Sequence, residues 1–549
     1  MNPVGKGGTA VSGNIVDVVN SRIYPGTVKI VAGRIAEIIE ESHPYETYLV
    51  PGLVDAHIHI ESSMLPPSEF ARVAAIHGTV ATVSDPHEIA NVMGTAGVKY
   101  MVENAGTVPV KFYFGAPSCV PASPFETSGA SLGAEEVREL LQWDSIKFLG
   151  EVMNVPAVLN SDPEMMQKIR FAQQYSKPID GHAPGLLGKD LQTYVRTGIS
   201  TDHECISKEE AREKISLGMK ILIREGSAAR NFKELISLVE EYPDSCMFCS
   251  DDRHPDGLVQ GHINELVKMA LSTGLDIMKV LKAACMNPVF HYHLDVGLLR
   301  RSDDADFLII DNLKDFRVLK TYIRGDMVAE EGVSHIPRIT PKVVNNFTIR
   351  KKSVSDFALP ANKGNIRVIE VMEGQLITRK GTAVSKVTNG YVLPDVERDI
   401  LKIAVVNRYQ DAPVAISFIK NFGLKKGAIA SSVAHDSHNI IAVGVTDEDI
   451  CRAVNAIIQH KGGISIVSGE KGMILPLPIA GIMSDRDYIQ VAEKYREMDR
   501  AAKSLGSLLS APFMTLSFMA LPVIPHLKLS DKGLFDGDRF QFVDVFEGV

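Results

Sequence analysis

The sequence predicts an α/β protein, with a closed barrel of parallel strands, a small β-module beside it and a further α/β region behind it. Three observations carry this. Between Tyr48 and about Phe290, short apolar runs alternate with helical stretches: "ATVSD", "VKFYFG", "IKFLGEVMN", "PIDGHAPG", "GISTDHECIS", "KILIREGS" and "CMFCSDD", with "EEVRELLQ" and "FKELISLVEEY" among the helices. Buried strands of that length separated by helices are βα units, and about eight of them close a barrel. Second, Asn14 to about Val50 has strand-and-turn texture, punctuated by Pro25-Gly26 and Gly33, and the same texture returns in "DADFLIIDNLKDFRVLKTYIRGDMVAEEG". One β-module built from both flanks of the barrel is expected. Third, polar residues around "RITPKVVNNFTIRKKSVSDFALPANKG" read as a linker to another α/β stretch. The expected division is 1–49 with 296–340 for the β-module, 50–295 for the barrel, 341–364 for the linker and 365–549 for the C-terminal domain.

Composition narrows the function classes. With 45% hydrophobic and 23% charged residues in 549, the chain is ordinary globular material with ample core. The net charge of -9, with no polybasic run, argues against nucleic acid and an anionic membrane as partners and favours a small ligand. Six scattered cysteines make no disulfide framework, and the N-terminus lacks a signal-peptide plan, so a cytoplasmic protein is expected. "LGSLLSAPFMTLSFMALPVIP" is uncharged over nearly a bilayer's length, but Pro512, Pro522 and Pro525 break a continuous helix. A buried core or subunit contact is the expectation there, and a homo-oligomer of two or more copies is expected.

The chemistry starts in "VPGLVDAHIHIESSM". On a strand, His57 and His59 share a face about 6.6 Å apart, so they can converge on one metal ion at a barrel mouth. A lone His-x-His is weak, since two strand histidines can also serve structural hydrogen bonds. Further ligand types follow later apolar runs: Glu151 in "IKFLGE", His182 in "PIDGHAPG", His203 in "GISTDHE", and Asp251 with Asp252 in "CMFCSDD". In a barrel these strand ends face one pocket. Imidazole and carboxylate donors suit zinc, manganese or iron, and a carboxylate able to bridge suits a binuclear centre. The H-x-E with P-C-x-x-C of the zinc deaminases, H-E-x-x-H and a Walker A loop are all absent from the sequence.

"PGLVDAHIHIESS", Asn287-Pro288 and "DADFLII" resemble the amidohydrolase superfamily, metal-dependent hydrolases on a distorted TIM barrel flanked by a β-sandwich. A closer resemblance, to the adenine deaminases, rests on "HIHIESSM", "TVSDPHEIANVMG", "GEVMN", "DGHAPG", "SDDRHPDGL", "SSVAHDSHN" and "PFMTLSFMALPVIPHLKLSDKGLFD", and spans essentially the whole chain. It implies His57 and His59 on a first ion, Glu151 as the bridge, His182 and His203 on a second ion, and Asp251 as acid-base and last ligand. It also implies a binuclear manganese or iron centre, with zinc the other option, and attack of a metal-activated hydroxide on C6 of adenine to give hypoxanthine and ammonia. A second acid must protonate the ring; Glu88, His87 and Glu61 are candidates, with His87, Glu61 and Asp252 as contacts to the base. Glu88 could instead simply occupy the first turn of the helix "EIANVM". His435 and His438 in "AHDSHN" either approach the site, from the same or a neighbouring subunit, or form a structural knot. The rival readings are a hydrolase of another cyclic amidine or amide, such as cytosine or a hydantoin, and an inactive ligand-binding homologue. Between Asp251 and Asp252, strand alternation selects Asp251 to face the ions, on the same side as Cys249.

Overall fold

The structure is a computed structural model and describes residues 8–227 and 229–548. Its first strands are β1 (Thr9–Asp17), β2 (Arg22–Val31), β3 (Arg34–Glu40) and β4 (Tyr48–Pro51). The barrel strands follow: β5 (Leu53–Ile58), β6 (Thr79–Ser84), β7 (Lys111–Ala116), β8 (Ile146–Val152), β9 (Ile179–Gly181), β10 (Thr201–Asp202), β11 (Lys220–Arg224) and β12 (Cys246–Cys249). After the barrel come β13 (Phe307–Ile310), β14 (Val318–Ile323), β15 (Asp326–Glu330) and β16 (Val333–Ser334).

Both flanks of the barrel enter one eight-stranded sheet, ordered β16-β15-β14-β13-β4-β1-β2-β3. The join is β4, parallel to β1 and antiparallel to β13. The sheet curls until Arg34 on β3 bridges to Asp304 just before β13, enclosing a small core of Ile15, Val28, Ile35, Leu49 and Phe307.

Every residue of β5 and of β6 is buried, as expected of parallel strands covered on both faces. The barrel strands form a five-stranded sheet, β5 to β9, and a three-stranded sheet, β10 to β12. Backbone bonds cross both seams. At one, the Asp251 N–H donates to the His57 carbonyl at 3.0 Å; at the other, the Ser200 N–H donates to the Ile179 carbonyl at 2.9 Å. Register shifts between β5 and β6 and between β8 and β9, and a β10 of two residues, make the barrel a distorted one. The stretch "FKELISLVEEY" departs from the expected single helix, for it breaks at Ile236-Ser237 into two short ones, Phe232–Leu235 and Leu238–Glu241.

The C-terminal region carries a second eight-stranded sheet, with Ile400–Val406 and Ile440–Gly444 adjacent inside it. One face is covered by the helix Asp447–His460 through Ile450, Val454 and Ile457. The opposite face does not stop at a boundary. Leu401, Ile403 and Val405 belong to one continuous apolar core with Ile58, Phe70 and Phe114 of the barrel. The uncharged proline-broken stretch supplies Phe513, Met514, Leu516 and Met519 to that core from the helix Pro512–Ser517 and the turn after it. Among the described residues, no helix is long and apolar enough to cross a membrane. Residues 341–364 run mostly without regular structure yet are pinned along their length: Asn345 donates to the Lys461 carbonyl at 2.6 Å, Asn346 to that of Val92 at 3.1 Å, and Phe357 is fully buried.

The ends of β9 and β10 are locked together by a buried ammonium. Lys214 Nζ donates to Asp202 Oδ2 at 2.9 Å, Glu210 Oε1 at 2.7 Å and the Ala183 carbonyl at 2.6 Å. Removing the cation strands two buried carboxylates, which typically costs about 3–5 kcal/mol. Lys214→Met is therefore expected to lose roughly that much stability in urea unfolding; a variant as stable as the parent would show that this lock is dispensable.

Candidate active site

His57 is the penultimate residue of β5 and His59 lies just beyond its end, both buried. Their Nε2 atoms stand 3.3 Å apart. His59 Nδ1 lies 3.0 Å from the Asp85 carbonyl, which can only accept, so Nδ1 carries a proton and Nε2 is the nitrogen turned toward the site. The Asp85 carboxylate accepts the Glu151 N–H at 2.9 Å. This approach requires glycine at 150, where a Cβ would come 2.4 Å from Asp85 Oδ2.

Glu151, near the end of β8, addresses both halves of the site. Its Oε1 is 3.3 Å from His59 Nε2; its Oε2 is 2.8 Å from His182 Nδ1 and 3.2 Å from His203 Nε2. The rings of His57 and His203 stack at 4.0 Å. Asp251 Oδ1 lies 3.3 Å from His59 Nε2 and 3.7 Å from His57 Nε2. Its Oδ2 is paired with Arg224, which also grips Glu204. Asp251 is brought there by a bend, not by regular alternation: β12 ends at Cys249, and Asp251 has a left-handed φ of +51°. Asp252 accepts from Ser62 Oγ at 2.5 Å, and one of its oxygens also comes within 4.8 Å of the ligand atoms of His59 and Asp251.

Burial opposes charge on His59, but its bonds to Asp251 and Glu151 outweigh it and raise its pKa well above the imidazole range. Burial likewise opposes ionisation of Glu151, but His182 and His203 hold it well below the carboxylate range. Such an arrangement of imidazoles and carboxylates around one volume is suited to hold cations, which would replace the ring protons. The sets His57/His59/Glu151, Glu151/His182/His203 and His57/His203/Asp251 each keep one ligand atom per residue within 4.8 Å. This donor chemistry fits a pair of divalent transition ions sharing Glu151.

A second group of side chains stands against this centre. Glu61 Oε1 accepts the Ile89 N–H at 3.2 Å while its Oε2 is buried without a hydrogen-bond partner among the described residues. Burial, reinforced by the charge of Glu88, lifts its pKa to about 7. His87 and Glu88 open the helix His87–Met93. His87 Nδ1 is 3.4 Å from Glu151 Oε1, and its Nε2 is 3.3 Å from Glu88 Oε1. Glu88 does lie in a helix first turn, but its carboxylate is engaged elsewhere: Oε1 meets His435 Nδ1 at 2.5 Å and Oε2 meets His438 Nε2. The C-terminal histidines thus reach this group from within the same chain.

Residues 48–328 match the amidohydrolase family, and residues 375–541 match the adenine deaminase C-terminal domain. Along the whole chain, the sequence is 53% identical to an adenine deaminase of Salinibacter ruber, over 98% of this chain and 99% of that one. It is 53% identical to one from Methanosarcina mazei, over 97% and 99%, and 54% identical to one from Sulfurovum sp., over 97% and 98%. The chain belongs to the amidohydrolase family and, within it, to the adenine deaminases.

Four residues that hold the site in this family member were missed in the sequence: Asp85, Asp180, Glu204 and Arg224. Asp180 receives the hydroxyls of Tyr292 and Thr201, both at 2.9 Å, and its Oδ2 lies 3.9 Å from His57 Nδ1. A signal for two of them was present, because an aspartate stands two residues before each of His57, His87 and His182. Groups that orient metal-ligating imidazoles typically matter about 10–100-fold for affinity. Asp85→Ala keeps the carbonyl that meets His59 but removes the carboxylate that holds the Glu151 backbone, so the purified variant is expected to need metal roughly 10–100-fold more concentrated for half-occupancy. Unchanged occupancy in a metal titration would remove Asp85 from this role.

Proposed function

We infer that this chain deaminates adenine hydrolytically to hypoxanthine and ammonia, as its relatives are named for doing. The observation that carries the reading is Glu151, one oxygen toward each histidine set, in a chain about half identical end to end to adenine deaminases. We take His57, His59, His182, His203, Glu151 and Asp251 as the ligands of two ions, with manganese or iron as the native pair on the strength of the family resemblance. When bound, such ions supply Lewis acidity and lower the pKa of water toward neutrality.

The protein's own groups then have distinct tasks. Asp251, kept ionised against its burial by Arg224 on its outer oxygen, turns Oδ1 inward beside His59 to take a proton from the nucleophile and pass it to the departing amino group. Glu61, His87 and Asp252 are our candidates to contact the base edges, and Glu88 to serve the ring proton, directly or through the histidines bonded to it. Attack at C6 drives the C6=N1 electron pair onto N1, so an acid other than Asp251 must serve the ring. Because nearly all these side chains are buried, the pocket is expected to close around a free base and reject its nucleoside.

Purified enzyme is expected to carry about two divalent ions per chain and to convert adenine far faster than adenosine or cytosine. Metal analysis with a purine and pyrimidine panel tests both; full turnover in a metal-free sample, or equal kcat/KM on adenosine, would refute the reading. His57→Ala is expected to lose metal while leaving the fold in place. Asp251→Asn in metal-replete form is expected to lower kcat by about 10²–10⁴-fold, with Asp252→Asn costing less. The reverse order would exchange their roles.

A further inference from the structure

We propose that His435, from the C-terminal region, is a catalytic residue that protonates N1 of the purine, with Glu88 and His438 positioning it. The inference rests on the adenine reading. His435 is 1% exposed, and its ring is fixed by stacking on Phe518 at 4.5 Å and 13°. One nitrogen, Nδ1, is engaged by Glu88 Oε1 at 2.5 Å; the other, Nε2, is buried with no hydrogen-bond partner among the described residues. A buried imidazole nitrogen left unbonded is costly unless something else uses it.

The hydrogen bonds around Glu88 set the direction of the proton. The Ala434 N–H donates to His438 Nδ1 at 3.3 Å, so the His438 proton is on Nε2 and is donated to Glu88 Oε2. Glu88 is thereby held as an acceptor toward His435 Nδ1–H. Its Oε1 is 3.3 Å from His87 Nε2, and His87 Nδ1 is 3.4 Å from Glu151 Oε1, so the assembly is continuous with the metal-binding carboxylate. Burial opposes charge on His435, but Glu88, Asp252 and Asp436 together outweigh it, against the opposing influence of His438 and His254 nearby, and its pKa rises to about 9. The ring is then cationic at neutral pH, with a proton on Nε2 to give.

In the proposed step, the electron pair displaced from C6=N1 takes the Nε2 proton. The N–H bonding pair stays on the imidazole, which becomes neutral while Glu88 retains the Nδ1 hydrogen bond. The new N1–H persists in hypoxanthine; the second proton, from the added hydroxyl, leaves in ammonia through Asp251; and solvent restores His435. Water thus supplies both protons and the oxygen.

The test uses metal-replete enzyme and two inhibitors, 1-deazaadenine, which lacks the N1 acceptor, and 3-deazaadenine, which keeps it. A charged hydrogen bond is worth about 10-fold or more in binding. Wild type is expected to bind 3-deazaadenine at least about 10-fold more tightly, and His435→Asn and His435→Gln to lose that gap. Both variants are expected to keep their metal and to lose roughly 10²–10⁴-fold in kcat on adenine. Equal inhibition of wild type by the two compounds, which needs no variant to fold, would overturn the assignment; so would a gap that survives in either variant, or near-parental turnover. Failure of wild type to deaminate adenine at all would instead overturn the functional reading.

Discussion

The constraint on which everything else depends is that Glu151 must face two histidine sets at once from a water-poor interior. A lone buried carboxylate is strongly disfavoured, and so is a buried cluster of carboxylates. Here the anion is made tolerable by imidazoles on three other strand ends, from β5, β9 and β10, with Asp251 beyond β12 closing the ring. Each of those strands must therefore end at a fixed height and angle. Much of the surrounding polar chemistry does this positioning: Asp85 couples the β6 and β8 ends, Lys214 couples the β9 and β10 ends, and Arg224 holds Asp251 to the β11 side.

The same logic extends beyond the barrel. Glu88 lies among residues that would otherwise crowd negative charge against Glu61 and Asp252, and the two C-terminal histidines meet it. The continuous apolar core between the barrel and the second large sheet supplies the rigidity that lets two distant segments meet at hydrogen-bond distance. Apolar packing sets where 435 and 438 sit; the hydrogen bonds refine it.

What could be read in advance follows from the range of the interactions. Barrel strands announce themselves by local apolar runs, and residues that end such runs share a mouth by topology alone, so the brought-together set of His57, His59, Glu151, His182, His203 and Asp251 was legible. Pairings across strands were not. Arg224 in "KILIREGS" and Glu204 in "DHEC" look like ordinary solvated charges, and only the closed barrel brings them to Asp251. Asp251 was legible for a reason the structure replaces, because the alternation argument assumes a strand that continues, whereas the chain has already turned left-handed there. The destination of His435 and His438 depended on a meeting over some 350 positions in sequence, for which a single chain carries no local mark.

The curled sheet that draws on both flanks has a consequence for biogenesis. Strand β4 adjoins β1 on one side, but its other neighbour, β13, begins only at Phe307. At ribosomal speeds of about 5–20 residues per second, the open side of β4 waits on the order of 10–50 s for that partner. An unpaired apolar strand edge is a template for the wrong neighbour. On that schedule the edge of β4 stays open for as long as the barrel between its two neighbours takes to emerge.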